Sequence, residues 1–316
     1  MVCIGTTVIT FYFLLIMISV IICSVNPELL SQLSNNIKNT IGTPYELIAT
    51  DNRGSAKGIC QVYNEAVTKA QYDILCFIHE DIIIKTNDWG KKLIELFKDP
   101  QLGLVGVAGS SYRPLTPAKW GGFGGKTTHE NFIQSFKNGD KPNYHYYSNP
   151  KNETLSDVTC VDGVWLTTTK KIASEIKFDQ DTFKGFHLYD MDFCMSIIQK
   201  YRVAVTYEIL INHLSDGSYG NSWMDDNLKF FTKWNAHLPI DVEGLSREEI
   251  IRGEKASFKH FIDQLIYYNY PISTAFKVLE HGNRFLKLST KLFFKLQFYI
   301  LKKYIKGIDP KSEALL

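Results

Sequence analysis

Three short polar clusters in this sequence have the residue types that chemistry needs. His79-Glu80-Asp81 follows directly on the apolar run Tyr72–Ile78. Carboxylates at the end of a strand suit a hard divalent cation that keeps open positions for phosphate oxygens. A pyrophosphate leaving group needs that neutralisation. The same three residues also fit a plain polar exit from a strand. Asp190-Met191-Asp192 opens a helical stretch, where acids commonly cap the first turn and complement the helix dipole. A general base needs a carboxylate fixed at a cleft edge, and a helix start offers that too. His213 ends an apolar run and precedes Ser215, Asp216 and Gly217. It reads either as a satisfied polar residue or as a ligand.

The surrounding pattern says what must position these groups. Ile18–Asn26 reads as a buried strand with a polar end, Pro27–Ile41 as a helix with Leu29, Leu30, Leu33 and Ile37 on one face, and Tyr45–Thr50 as a second strand. Gly58–Ala70 is a second helix and Tyr72–Ile78 a third strand. Strands alternating with helices predict a parallel sheet, whose ligands bind at the carboxyl ends of the strands. Ser24/Asn26, Asp51/Asn52 and His79/Glu80/Asp81 fall there. Trp89–Phe97 predicts a helix and Leu102–Ala108 a strand. Gly109–Ser156, rich in Gly, Pro, Asn, Tyr and Lys, reads as one long functional loop. Asp157–Thr169 returns to strand with a bend at Asp162-Gly163, and Ile172–Ile176 is a short helix. A helix from Asp190 to about Tyr201 and a strand Val203–Asn212 follow.

The chain has 316 residues, 45% of them hydrophobic, with a formal charge of +2. That is enough for a sizeable core and argues against a nucleic-acid partner. Cys3, Cys23, Cys60, Cys76, Cys160 and Cys194 show no metal-binding spacing and read as reduced thiols of a cytoplasmic protein. The sequon Asn152-Glu153-Thr154 carries no weight in that setting. Val2–Val25 is long and apolar enough to span a bilayer. Its second half also reads as the first strand of the sheet, and it cannot be both. The expectation is a leader over 1–16 outside the fold, a catalytic part over 17–240 and a helical extension over 241–316.

Taken in order, Ile21–Asn26, Ile48–Arg53, Tyr63-Asn64-Glu65-Ala66, Phe77–Asp81, Asp162-Gly163 and Tyr189–Cys194 resemble the inverting family-2-type glycosyltransferases of GT-A fold. Within these the sequence is most similar to a bacterial glycosyltransferase-like branch with a His-Glu-Asp motif. The resemblance covers about Ile18 to Ser218. It implies an α/β fold with a mostly parallel sheet, and transfer of a hexosyl group from a nucleotide-diphosphate sugar with a divalent cation, Mn2+ or Mg2+. The acceptor would be a glycan or lipid-linked sugar in surface polysaccharide synthesis. Ser24, Asp51, Asn52, Asn64, His79 and Glu80 would then serve the donor. Asp81 and His213 would hold the metal, and Asp190 would be the base. Asp162, Gly163 and Asp192 would face the acceptor. Two residues depart from the family's usual pattern. His79 stands where the first metal-motif Asp is common, and Tyr189 stands where Glu commonly precedes the base.

A nucleotidyltransferase shares such a scaffold but usually carries a Gly-rich basic loop after its first strand, where this chain has Ser24-Val25-Asn26-Pro27-Glu28. A degenerate sugar-binding protein is the other alternative, and His79 is what favours it. The stretch Phe276–Gly307 interleaves apolar residues with lysines. It fits a helix lying on an anionic membrane, here the inner membrane surface, or one packed on the catalytic part.

Overall fold

The computed structural model describes residues 17–121, 123–137, 141–215, 217 and 219–307. The expected leader over 1–16, Cys3, Asp216 and residues 308–316 lie outside the described residues.

Strand β1 (Ile18–Ser24) is buried along almost its whole length. Its side chains alternate, so Ile18, Val20 and Ile22 enter one core and Ile21 the other. Helix α1 (Pro27–Thr40) starts at once, because the Asn26 side chain accepts from the Glu28 and Leu29 amides and Pro27 takes the first position. Then follow β2 (Tyr45–Asp51), α2 (Ile59–Lys69), β3 (Ile74–Ile78), β4 (Ile82–Ile84), α3 (Trp89–Leu96) and β5 (Leu102–Gly106). The chain continues through β6 (Ala108–Ser110), β7 (Tyr112–Arg113), β8 (Thr128–Ser135), β9 (Tyr144–Ser148), β10 (Leu155–Val158), β11 (Cys160–Val161) and β12 (Trp165–Thr169). After α4 (Lys170–Glu175) and α5 (Tyr189–Ile197) come β13 (Arg202–Thr206), β14 (Ile211–Leu214), α6 (Asn221–Trp234) and β15 (Ile240–Asp241). Helices α7 (Arg247–Tyr267), α8 (Ile272–Glu280), α9 (Arg284–Leu288) and α10 (Thr290–Lys306) end the described chain.

The main sheet has seven strands in the order β10-β13-β5-β12-β3-β1-β2. It is mixed rather than mostly parallel. The pairs β2/β1, β1/β3 and β5/β13 are parallel, whereas β12 runs against both its neighbours and β10 against β13. The reversal of β12 matters for the site. It brings Trp165 opposite Ile78, and the His79 amide donates to the Val164 carbonyl at 3.2 Å. The Asp162-Gly163 bend thus lies beside the end of β3.

A second sheet, β11-β6-β8-β14-β4 with β9 on the outer side of β8, corrects two expectations. Gly109–Ser156 is not one loop: it holds β8, β9 and most of the second sheet's hydrogen bonding. These strands carry polar residues in buried places, satisfied by side chains rather than by apolar packing. His129 pairs with the Tyr207 hydroxyl and Asn131 with the Tyr207 carbonyl. Val203–Asn212 is two strands, not one, because the chain leaves the first sheet after Thr206 and joins the second at Ile211. His213 therefore sits inside β14.

Helix α7 opens with a capping box between Ser246 and Glu249. Phe258, Phe261, Leu265, Leu279, Phe285, Leu296 and Ile300 from the last helices join the same core cluster as Ile21 and Phe77 of the sheet. The five described cysteines are free thiols, all buried except the half-buried Cys23. Among the described residues, no helix is long and apolar enough to cross a membrane.

Candidate active site

Strand pairing builds one end of the site. Asp81 lies in the turn between β3 and β4, and β4 pairs with β14 so that His213 faces Ile82. The Leu214 amide donates to the Asp81 carbonyl at 2.8 Å. Asp81 Oδ1 then lies 3.5 Å from His213 Nε2. His79, one strand end away, has its ring centroid 6.2 Å from that of His213. One ligand atom from each of His79, Asp81 and His213 lies within 4.8 Å of the others. Asp81 Oδ1 is buried without a hydrogen-bond partner among the described residues. An orphaned carboxylate oxygen between two imidazoles is what a cation would satisfy, so the residues fit a divalent metal.

The protonation states agree. Burial raises the Asp81 carboxyl, but His213 and His79 outweigh it and hold it below its ordinary pKa. Burial lowers the His79 pKa, which favours the neutral ring a metal requires. His79 Nε2 lies 2.8 Å from the Tyr189 hydroxyl, which in turn donates to the Gly163 carbonyl at 3.1 Å. The phenol has one proton, and the carbonyl can only accept. His79 must therefore donate from Nε2, and Nδ1 keeps the lone pair.

Across from this cluster, α5 starts abruptly at Leu188, whose φ of 59° is left-handed. Asp190 follows in the first turn. Its Oδ2 accepts from the Gly163 amide at 2.9 Å. Burial, then the charge of Asp162, push its pKa up to about 7, against backbone hydrogen bonds that lower it. Asp162 itself accepts from the Val164 amide at 2.8 Å and shapes the bend. A side chain at Gly163 would collide with the Tyr189 hydroxyl and crowd the Asp190 Cβ. Only glycine lets these two side chains close on the bend.

The cleft between them has a volume of about 490 Å³, in the range of small-molecule sites. Its other wall comes from residues that sequence reading missed: Lys119, Trp120, Phe186, His187, Tyr219 and Trp223. Lys119 Nζ lies 4.0 Å above the Tyr219 ring and, among the described residues, pairs with no carboxylate. Burial lowers its pKa. The fully buried Arg113 holds this loop, donating to the Lys119 carbonyl at 2.8 Å and to the Ala118 carbonyl at 2.7 Å. Its guanidinium also lies 4.9 Å from the centre of the Phe230 ring, and sequence alone does not reveal that such an arginine is buried.

The other expected residues lie elsewhere. Ser24 donates to Glu80 at 2.6 Å, and Glu80 also accepts from the Val25 and Asn26 amides. Glu80 thus organises the end of β1 rather than lining the cleft. Asp51 is exposed at the end of β2 and bound by Arg53, whose hydrogen bonds bring it down to about 2. Asn52 is buried, donates to the Lys57 carbonyl at 3.0 Å and leaves its Oδ1 without a partner. Asn64, expected at the donor, instead clasps Phe178 through both amide atoms and Gln180 through its nitrogen, and lines a separate cavity. Asp192, expected at the acceptor, is buried and points to α6. It accepts from Trp234 Nε1 at 2.7 Å and pairs with Lys233 at 2.7 Å.

The mixed seven-stranded sheet flanked by helices is that of a GT-A type of glycosyltransferase fold. The chain belongs to the glycosyltransferase-like family, which it matches over residues 19–231, more than half its length. Its structure is similar to that of S. aureus TarS, with a TM-score of 0.51 at 12% identity, covering 91% of this chain and 53% of that one. It is also similar to S. aureus TarS 1-349 in complex with UDP-GlcNAc (TM-score 0.47, 13% identity, 92% of each chain). GalNAc-T7 with UDP, GalNAc and Mn2+ gives a TM-score of 0.46 at 11% identity, over 81% of this chain and 57% of that one. The chain thus spans little more than half of GalNAc-T7 and of the longer TarS chain, and the likeness at these identities is one of fold. None of the curated proteins matches the sequence.

Proposed function

We propose that this glycosyltransferase moves a hexosyl group from a nucleoside-diphosphate sugar to a hydroxyl of a glycan or lipid-linked acceptor, with inversion. The setting we infer is surface-polysaccharide synthesis on the cytoplasmic side of a bacterial membrane. Residues 17–240 would act as the catalytic part and 241–316 as its helical extension. The observation that carries the reading is Asp190, a carboxylate brought up to about 7 and held on the Gly163 amide, across the cleft from His79, Asp81 and His213.

In this reading the acceptor oxygen attacks the anomeric carbon from the face opposite the nucleotide. Its proton passes to a free oxygen of Asp190, the new glycosidic bond forms and the bond to the diphosphate breaks. A base near pH 7 suits that transfer. His79, Asp81 and His213 would hold the cation, and two imidazoles with one carboxylate favour Mn2+ over Mg2+. The cation, when bound, neutralises the leaving diphosphate. Lys119, which lies over the Tyr219 ring on the opposite wall and pairs with no carboxylate among the described residues, is suited to the same anion. Ser24, Asp51 and Asn52 would receive the nucleoside, and the unpartnered Oδ1 of Asn52 offers an acceptor to it. Asp162 and Gly163 would face the acceptor. A nucleotidyltransferase is disfavoured, because Glu80 takes the backbone amides after β1 that would otherwise cradle phosphates.

The test is transfer by Asp190→Asn. Loss of transfer with unchanged binding of UDP and manganese supports the reading. Full transfer by the variant removes it.

A further inference from the structure

Helix α10 has three distinct faces. Leu292, Phe293, Leu296 and Ile300 are buried, where the helix packs on α7 and α8. Opposite them stand Phe294, Phe298, Leu301 and Ile305, with exposures of 58%, 68%, 47% and 83%. Their spacing of four, three and four residues sets them in one line along the helix. Lys291, Lys295, Lys302 and Lys306 flank that line on one side, all exposed. Among the described residues, none of the four forms an ion pair. The helix contains no acidic residue. Its fifth central lysine, Lys303, points the other way and pairs with Asp263 at 2.9 Å.

Single exposed apolar residues are ordinary, but four in a row at the ends of long side chains form a patch that marks an interaction surface. The charge beside it selects the partner. Burial and the neighbouring Lys255, Lys303 and Lys302 together depress the Lys259 ammonium on α7, with Asp263 opposing them. The positive field therefore extends from α10 onto the helix behind it. A second copy of the chain, docked antiparallel through the same stripe, would bring its own lysine row close to this one. An anionic surface would relieve that repulsion instead.

We propose that α10 docks the protein on an anionic lipid surface. Phe294, Phe298, Leu301 and Ile305 enter the boundary between headgroups and acyl chains, and the lysine row lies over the lipid phosphates. The proposal rests on α10 alone and does not depend on the glycosyl-transfer reading, although an enzyme with a lipid-linked acceptor would gain from it.

The test is co-sedimentation of the full chain with vesicles of phosphatidylcholine, and of phosphatidylcholine mixed with phosphatidylglycerol, at low and high salt. Comparison among variants is required, because the apolar segment 2–25 is present in all of them. Binding should favour the mixed vesicles and weaken with salt. Phe298→Ser with Ile305→Ser should lower partitioning at least about ten-fold. Exchanging the four lysines for glutamine should abolish the preference for anionic vesicles, at roughly five-fold per lysine. All these positions are exposed, so an unchanged melting temperature shows that the variants fold. Equal partitioning of wild type and stripe variant overturns the proposal. So does a stripe variant that turns a dimer into a monomer without changing vesicle binding. Neither result affects UDP binding or transfer to a soluble acceptor, which test the enzyme reading separately.

Discussion

The two residues at which this chain departs from the usual family pattern touch each other: His79 Nε2 lies 2.8 Å from the Tyr189 hydroxyl. An Asp at the first position and a Glu at the second would repel. A histidine and a tyrosine form a neutral hydrogen bond and continue it to the Gly163 carbonyl. The departures therefore form a matched pair. In the reading proposed above, the imidazole would stand in for a carboxylate beside the cation, and the phenol would set its tautomer and orientation.

Tyr189→Phe should test that pairing. The ring packing on Tyr63 and Phe178 is kept, so the fold should hold. Loss of a partner that orients a metal ligand typically costs 10- to 100-fold in metal affinity. Manganese titration by calorimetry, in the presence of UDP, should show a loss of about that size. Unchanged affinity would mean that His79 does not contact the metal.

Asp81→Ala should remove manganese-dependent stabilisation by UDP. Binding to the folded state raises the melting temperature by mass action, so wild type should melt higher with both ligands than with either alone. The variant should lose that synergy and still melt cooperatively. His213→Ala should behave alike, since the two side chains are 3.5 Å apart. Retained synergy in either variant would remove that residue from the cluster.

If Lys119 serves the diphosphate and not the nucleoside, as proposed, Lys119→Met should weaken UDP binding by roughly ten-fold and leave uridine binding unchanged. The binding should also lose part of its salt dependence. If UDP and uridine respond equally, Lys119 acts on the wall's shape and not on charge.

Much of this site was legible in the sequence, and the exceptions have physical causes. Strands β1 and β3 declare themselves by apolar runs, interrupted in β1 by Ser19, so Asp81 could be placed at a strand end. Asp190 was legible because a helix start fixes a side chain's direction. The Thr128–Ser135 strand was not, since it buries His129 and Asn131 through hydrogen bonds that hydrophobic periodicity does not detect. His213 was identified as a candidate ligand. Its meeting with Asp81 depends on the chain changing sheets between Thr206 and Ile211, a long-range event with no local signature. Asp190 and Asp192 look equivalent in a linear reading. A helix turns about 100° per residue, so one faces the cleft and the other faces Trp234.

That divergence yields the most discriminating experiment. Asp192 is buried between Lys233 and Trp234; removing it strands the Trp234 indole N–H, whereas Lys233 keeps Asp179 at 2.7 Å. Asp192→Ala should cost roughly 2 kcal/mol, the loss expected when a buried donor such as the Trp234 N–H is left unsatisfied. It should lower the melting temperature at pH 7 through that lost hydrogen bond, even though burial raises the Asp192 pKa against the pull of Lys233 and Trp234. Asp190→Asn should do the reverse. The folded pKa of Asp190, about 7, exceeds its ordinary 3.8. Between those values the folded protein holds a proton that the unfolded chain releases, so this group's contribution to stability falls as pH rises. Asparagine cannot ionise and escapes that loss. The variant should therefore melt above wild type at pH 8, and the gap should narrow toward pH 5. Its transfer rate should fall by about 10²–10⁴-fold, the usual contribution of a general base. In wild type, kcat/KM should rise with pH through about 7 as the carboxylate becomes available to accept the proton. A variant at Asp190 that is inactive yet no more stable at pH 8 would mean that its carboxylate is not held protonated by burial. A flat pH profile in wild type would place the base elsewhere.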